Sequence, residues 1–448
     1  MSTTSTDERP SIRAFWRDLS PAGRWLLSTT AIQTLGRGLT LPFTIIYLNE
    51  VRGISLDLAG TLMAFIAVVA LAVTGPGGAL TDRFGARRML LMGTTAQLIG
   101  CVILAFATTP LVVALSFALL GFNFGVAWPA FNALIAAVTS GATRQQYFGI
   151  NFALVNLGIG VGGVIGGLYA DVSDPTTFTV IFLADGASML VPIALLLGPL
   201  RHVADRGASP TGDDDVDTGR GAYLTILRKP VVLWMTALTF LGTFVGYGQM
   251  EAGFPAFARQ VSEVSTDVIG FAFAVNTAVI VGLQFLVLRL ITGHRRTRVL
   301  MVMSLLWSVS WVVLGLTGLV PGSAAAVAGV LAFHGLFALG ETMFQPTIPA
   351  ITNDLAPDHL RGRYNAVNAG AFQGGTIAGP VVAGLMLDRG LDTAFVAAIV
   401  AGCAAIILLA LQVERLISPA VNGVGPAATE PEVPDVSAPT GPSPTATG

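Results

Sequence analysis

Twelve apolar runs constrain this chain more than any other feature, because each approaches the roughly 20 residues a helix needs to cross a hydrocarbon layer about 30 Å thick. They fall at 26–48, 58–80, 89–107, 111–138, 148–169 and 178–200, and after a polar gap at 231–257, 268–290, 299–320, 325–351, 366–387 and 394–413. Of 448 residues 53% are hydrophobic and 11% charged, against about 25% charged in soluble domains. A chain so poor in charge cannot clothe a globular surface in water, which excludes a soluble enzyme and leaves an all-α membrane protein. Its 24 Lys and Arg against 26 Asp and Glu offer no basic field to a phosphate backbone, so no nucleic acid is expected. Cys101 and Cys403 lie inside apolar runs with no other Cys or His near, so they form neither a disulfide framework nor a metal-ligand set. With no ATP-binding loop either, no cofactor and no metal are expected.

The six-and-six division sets the expected units: a leading segment 1–24, a bundle 25–200, a linker 201–229, a second bundle 230–415 and a tail 416–448. Asp213, Asp214, Asp215 and Asp217 lie among Gly, Ser and Thr, so the linker reads as solvated chain. The tail, rich in Pro, Ala, Thr and Gly with no apolar face, reads as disordered. A shift of 217 residues lays Pro129 on Pro346, Tyr147 on Tyr364, Asn151 on Asn368, Gly158 on Gly375, Gly162 on Gly379, Gly167 on Gly384 and Asp171 on Asp388. These matches run without a gap. A duplicated six-helix unit is the simplest reading.

The first residues are polar and carry Arg9, Arg13 and Arg17, and the run that follows is too long for a signal-peptide core and lacks a small-x-small cleavage site. The chain therefore reads as starting in the cytoplasm, uncleaved. With that start, nineteen Lys and Arg fall on the cytoplasmic side and three, Arg52, Arg259 and Arg389, on the other, Arg37 and Arg289 lying within segments. Positive charge is retained inside, so both termini are placed in the cytoplasm and the protein in the cell membrane, as a multi-pass chain.

The sharpest local signal runs from Gly78 to Arg88 between segments two and three: Gly-Ala-Leu-Thr-Asp-Arg-Phe-Gly-Ala-Arg-Arg. Gly78 permits close helix approach, Gly85 a tight turn, and Asp82 can face a helix N-terminus while Arg83, Arg87 and Arg88 grip carbonyls or acids. The string reads as a conformational latch. It resembles the signature loop of the major facilitator superfamily, G-x-x-x-D-R-x-G-x-[RK]-[RK], matched here in full. The resemblance spans about residues 24–415 and implies twelve helices in two pseudo-symmetric bundles, with Asp82 helping to close the cytoplasmic side. The second-half counterpart, Gly293 to Arg298, keeps Arg295, Arg296 and Arg298 but has no acid, so the latch is expected to be one-sided.

Ionisable groups inside membrane helices are costly and seldom kept without a task. Arg37 lies in segment one, Asp185 in six, Glu251 in seven, and His334 with Glu341 in ten. Segments one, four, seven and ten line the central cavity in this superfamily, so the resemblance puts Arg37, Glu251 and Glu341 in one space and Asp185 on a peripheral helix. Asp185 and His334 read as structural, and Arg289 as snorkelling at a helix end. The strings Gln249-Met250-Glu251 and Leu339-Gly340-Glu341 are similar to those of the lactococcal multidrug/proton antiporter group. That similarity gives Glu251 and Glu341 proton coupling and cation recognition. Arg37 is either a structural pair for a cavity acid or part of the proton switch.

Segment five carries Gly158, Gly162, Gly166 and Gly167, and segment eleven Gly379, Pro380 and Gly384, near the G-P-x-x-G-G element of antiporters in this superfamily. Gly163 stands at the proline position in segment five, and Ala383 replaces one glycine in segment eleven. Small residues at this spacing let helices five and eight, or eleven and two, pack closely. Gln33, Phe124, Trp128, Asn132, Tyr247 and Gln345 complete the candidate cavity, a mixture of aromatic and amide groups that suits amphipathic organic molecules. The expectation is a monomeric proton-coupled secondary transporter exporting amphipathic drugs or natural products by alternating access. Its partners would be that substrate, protons and the lipid bilayer. The alternative is a proton symporter importing a metabolite or peptide, and remotely a membrane receptor or scaffold without transport.

Overall fold

The computed structural model describes residues 15–17, 19–139, 141–203, 225–357 and 360–424, with the side chains of 75–79, 81–82, 128–129, 136, 141–146 and 361–362 left out. Twelve membrane helices follow one another, and no strand occurs among the described residues. They are α1 (Pro21–Thr40), α2 (Leu56–Phe84), α3 (Ala86–Ala105), α4 (Pro110–Val138), α5 (Gly141–Tyr169) and α6 (Pro175–Ser188, continued by Leu190–Leu197). The second set is α7 (Pro230–Val245, with the short pieces Tyr247–Met250 and Gly253–Gln260), α8 (Thr266–Ile291), α9 (Arg296–Thr317), α10 (Ala324–Leu355), α11 (Arg361–Leu387) and α12 (Asp392–Leu416). Several starts are written locally. Ser20, Thr109 and Asp174 each accept a backbone N–H from the first turn and precede a proline at the first helical position, where a missing N–H costs nothing.

Eleven of the twelve are long and apolar enough to span a membrane by length and composition. The exception is α1, which the sequence reads as one run; it carries Arg24, Arg37 and several Thr, breaks after Thr40 and continues through Thr44–Ile46 into a wide turn at Tyr47–Val51. We call the end where α1 starts the base and the opposite end the crown.

The two halves repeat at the level of single hydrogen bonds. Thr30 of α1 donates to Asn151 of α5 at 2.8 Å, and Thr239 of α7 donates to Asn368 of α11 at 2.7 Å. A Cβ on Gly158 would meet the Thr34 hydroxyl, and one on the matching Gly375 the Thr243 hydroxyl.

The halves meet along the crown. There Arg259 grips Glu50 with two bonds of 2.9 and 2.7 Å, Gln260 donates to Asn49 at 2.8 Å, and Asp388 accepts the Leu56 N–H at 2.9 Å. Thr266 of α8 donates to the Ala170 carbonyl at 2.7 Å. α5 serves both halves with one helix. Gly158, Gly162 and Gly166 lie on α1, while Gly160, Gly163 and Gly167 lie on α8. Gly379 of α11 packs on Gly248 of α7, and Pro380 and Gly384 pack on α2, so the expected five–eight and eleven–two contacts are present but share their glycines with one and seven. Towards the base the contact ends: a Cβ on Gly149 of α5 or Gly282 of α8 would meet nothing within 4 Å.

Two expectations on the connecting segments need correction. Disorder was expected from residue 416, yet 417–424 fold back on α9. Asn422, 3% exposed, accepts the Thr297 N–H at 3.0 Å, and its carbonyl accepts that of Arg296 at 2.9 Å. An asparagine and a free carbonyl cap the unpaired first turn of α9, a role that composition does not reveal. The linker ends are likewise structured, with a single turn at Pro199–His202 and Ile226 buried against Tyr364 and Val232. The acidic run inside the linker, the first fourteen residues and the tail beyond Val424 lie outside the described residues.

Candidate functional site

Two polar clusters flank the point where α7 loses its helical form. Gly246 (φ −99°, ψ −100°) and Ala252 (φ −132°, ψ −59°) interrupt the backbone on either side of Tyr247–Met250. Gly246 is required there, since a Cβ would fall 2.7 Å from the Trp307 ring. A broken helix frees backbone groups that the interior of a membrane protein must satisfy. Gln249, fully buried, does this by donating to the Phe244 carbonyl at 2.9 Å.

The first cluster joins the halves. Arg37 of α1 donates through one nitrogen to both oxygens of Glu251, at 3.0 and 3.1 Å, and its guanidinium stands 5.0 Å from the centre of the Phe124 ring of α4. The second cluster is four residues earlier on the broken piece. Tyr247 donates to Glu341 of α10 at 3.0 Å and accepts from Gln345 at 2.6 Å, and Asn276 of α8 donates to the other Glu341 oxygen at 3.3 Å. Phe344 and Phe372 lie against the Tyr247 ring, with centroids 6.2 and 5.6 Å away. The short piece Tyr247–Met250 therefore links the Glu341 cluster to the ion pair that spans the halves.

Asp185 is not peripheral. It is 3% exposed and faces α1 and α3, accepting from Thr40 at 2.9 Å beside the Cys101 thiol at 3.7 Å. Arg37, Asp185 and Glu251 border one narrow pocket. The resemblance places α6 at the periphery, and a peripheral helix still turns one face inward, which hydropathy alone does not reveal; Asn276 is absent from the expected site. An amide near the middle of an apolar run was the available signal.

Other candidates lie apart. Gln33 and Asn132 are half-buried and hydrogen-bond to neither cluster. The Trp128 side chain lies outside the described ones, as does that of Asp82, which with Gly78 stands on the last turns of α2 rather than in a loop. Gly85 alone joins α2 to α3, with φ 89°; Arg83 at the end of α2 lies over the Phe84 ring, Arg87 in the first turn of α3 reaches the Leu196 carbonyl at 3.2 Å, and Arg88 is exposed. The matching turn at Gly293 has φ 79°, and its arginines take acids from other helices: Arg295 pairs with Glu414 and Arg296 with Asp354. His334 is fully buried among Phe254, Phe273 and Phe333, the nearest ring centre 4.3 Å away.

The profile of the Major Facilitator Superfamily matches residues 26–338 and 263–437. The chain belongs to that superfamily. Like the rest of it, the protein is a membrane transporter and no enzyme, with twelve helices in two pseudo-symmetric halves. Among relatives of this superfamily member, the quinolone resistance protein NorA of Staphylococcus aureus is 23% identical over 84% of this chain and 93% of its own length. A Na(+), Li(+), K(+)/H(+) antiporter of Planococcus maritimus is 24% identical over 77% of this chain and 84% of its own. Among solved structures a POT peptide transporter aligns with a TM-score of 0.72 over 90% of this chain and 95% of its own, at 14% identity, a likeness of fold.

Proposed function

We propose that this transporter exports amphipathic organic cations in exchange for protons, with Glu341 binding the two in turn. The observation that carries this reading is the Glu341 carboxyl at membrane depth, held by the neutral donors Tyr247 and Asn276 and, among the described residues, by no cation. A carboxylate placed so lacks a counter-charge, which either a proton or a cationic substrate supplies. Tyr247, Phe344 and Phe372 offer rings to an organic cation. NorA is named for quinolone resistance and the Planococcus relative for cation/proton exchange; both names agree with the reading.

In this reading the base is cytoplasmic, by the excess of positive charge there. The structure then corresponds to the state closed to the outside, with Arg37–Glu251 at the inner edge of the closed seam. Asp82 and its arginines act in the opposite state, when the base closes.

The test is ethidium uptake into everted vesicles under an imposed pH gradient. One-for-one exchange accumulates dye about tenfold per pH unit, the equivalent of about 1.4 kcal/mol per proton. Glu341→Gln, fixed in the neutral form, is expected to bring that ratio to one while reaching the membrane at wild-type levels. Gradient-driven accumulation in this variant would overturn the assignment, and proton-driven uptake in the opposite direction would indicate a symporter.

A further inference from the structure

Asp185 has one oxygen that the surrounding protein leaves unanswered. Its Oδ2 accepts from Thr40 at 2.9 Å, Cys101 stands 3.7 Å away, and the Gln97 side chain is close by. Its Oδ1 is buried without a partner. That oxygen lies against α1, where a Cβ on Gly36 would fall 3.1 Å from it, one residue before Arg37. A purely structural aspartate inside a membrane protein has its acceptors satisfied, because each unmet one is costly. Here the unmet acceptor borders the same pocket as the Arg37 guanidinium.

The helices packed on α6 bring few other titratable groups to it. α1 contributes Arg37, α3 contributes Cys101, and Glu251 of α7 lies across the pocket. Tyr47 is a layer further out, its hydroxyl on the Leu104 carbonyl at 2.8 Å. Arg37 and Asp185 ride on the same half, whereas Glu251 belongs to the other.

We propose that Asp185 is a second proton-binding carboxyl, exchanging Arg37 with Glu251 as the crown opens and closes. When the crown parts, Glu251 withdraws with α7 into water and keeps its charge there. A half-buried guanidinium inside a membrane protein is not left unpaired, so Arg37 turns to Asp185 and supports it as carboxylate. When the crown closes, Arg37 returns to Glu251 and Asp185 takes one proton on Oδ1 from water in the pocket. Each closure thus binds one proton at Asp185 and each opening releases it. Acid favours the closed crown. This goes beyond the exchange assigned to Glu341: a proton taken up as the crown closes and given back as it opens carries no inward flux, and instead makes the opening equilibrium depend on pH.

The experiment follows the base of the full-length protein in nanodiscs without substrate. Spin labels are attached to cysteines placed at Gly149 and Gly282, which face open space, the two native cysteines being buried. The wild-type distance is expected to lengthen on acidification. Asp185→Asn is expected to hold the long distance at every pH, and Asp185→Glu to restore the titration, which a merely structural role would not predict. Glu251→Gln leaves Arg37 on Asp185 throughout and is expected to shift the population towards the short distance and abolish the wild-type midpoint. This holds even should Asp185→Asn fail to fold. A wild-type midpoint in either Asp185→Asn or Glu251→Gln overturns the proposal. A wild-type distance indifferent to pH overturns it too, while ethidium accumulation by the same protein still reports separately on Glu341.

Discussion

The Tyr247 hydroxyl answers two groups at once, donating to Glu341 and accepting from Gln345. Removing it leaves the Gln345 amide without an acceptor and Glu341 with one donor fewer, a loss of about 1–3 kcal/mol in a buried setting. Tyr247→Phe should therefore lower resistance to denaturant in bicelles, and Gln345→Met added to it should cost little more, a coupling of about 1 kcal/mol. Additive losses would show that the two side chains do not act as a unit. Much of this cluster was legible beforehand, because a Glu, a Gln and a Tyr inside apolar runs are costly enough to stand out singly. Their assembly was less so. Asp185 was equally visible as an acid, but its pairing depends on which face α6 turns to α1, and a helix apolar on every side carries no period to reveal it. Asn276 is neutral and stood out least.

At the scale of elements, α5 packs on α1 of its own half and on α8 of the other, and its contact with α8 places backbone against backbone. A Cβ on Gly270 would run into the Gly163 carbonyl of the other half, and overpacking of this kind costs about 1–3 kcal/mol. Gly270→Ala should leave each half folded yet disfavour the closed crown by about tenfold, a factor worth about 1.4 kcal/mol. A cysteine replacing Thr44, buried here beside the pocket, should then react correspondingly faster with a membrane-impermeant thiol reagent applied from the crown side. Unchanged labelling would mean that α5 and α8 separate elsewhere. The apolar runs revealed that these helices exist, and the Gly85 turn was readable as well. The break in α7 was not: Val231 to Phe257 reads as one run despite Gln249 and Glu251, and the clash of a Cβ at Gly246 with Trp307 marks where the helix yields.

For the whole molecule, the paired contacts Thr30–Asn151 and Thr239–Asn368 describe one unit used twice, and the charge asymmetry predicts a base that faces the cytoplasm. Epitope tags inserted at Asp214 and appended after Gly448 should both be reached by antibody only once the membrane is permeabilised from the cytoplasmic side. Detection of either on intact cells would invert the orientation. The closed crown and open base then have an electrical consequence. With the base cytoplasmic, as proposed, water entering there would carry the cytoplasmic potential inward to Arg37–Glu251 and confine the voltage drop to the sealed part, roughly half of a 30 Å core. The field there is about twice that of an undisturbed bilayer. On the proposed coupling, a proton leaving Glu341 towards the base in this state does almost no electrical work, and the drop of about 2.3 kcal/mol for each 100 mV is met as the seal passes from crown to base.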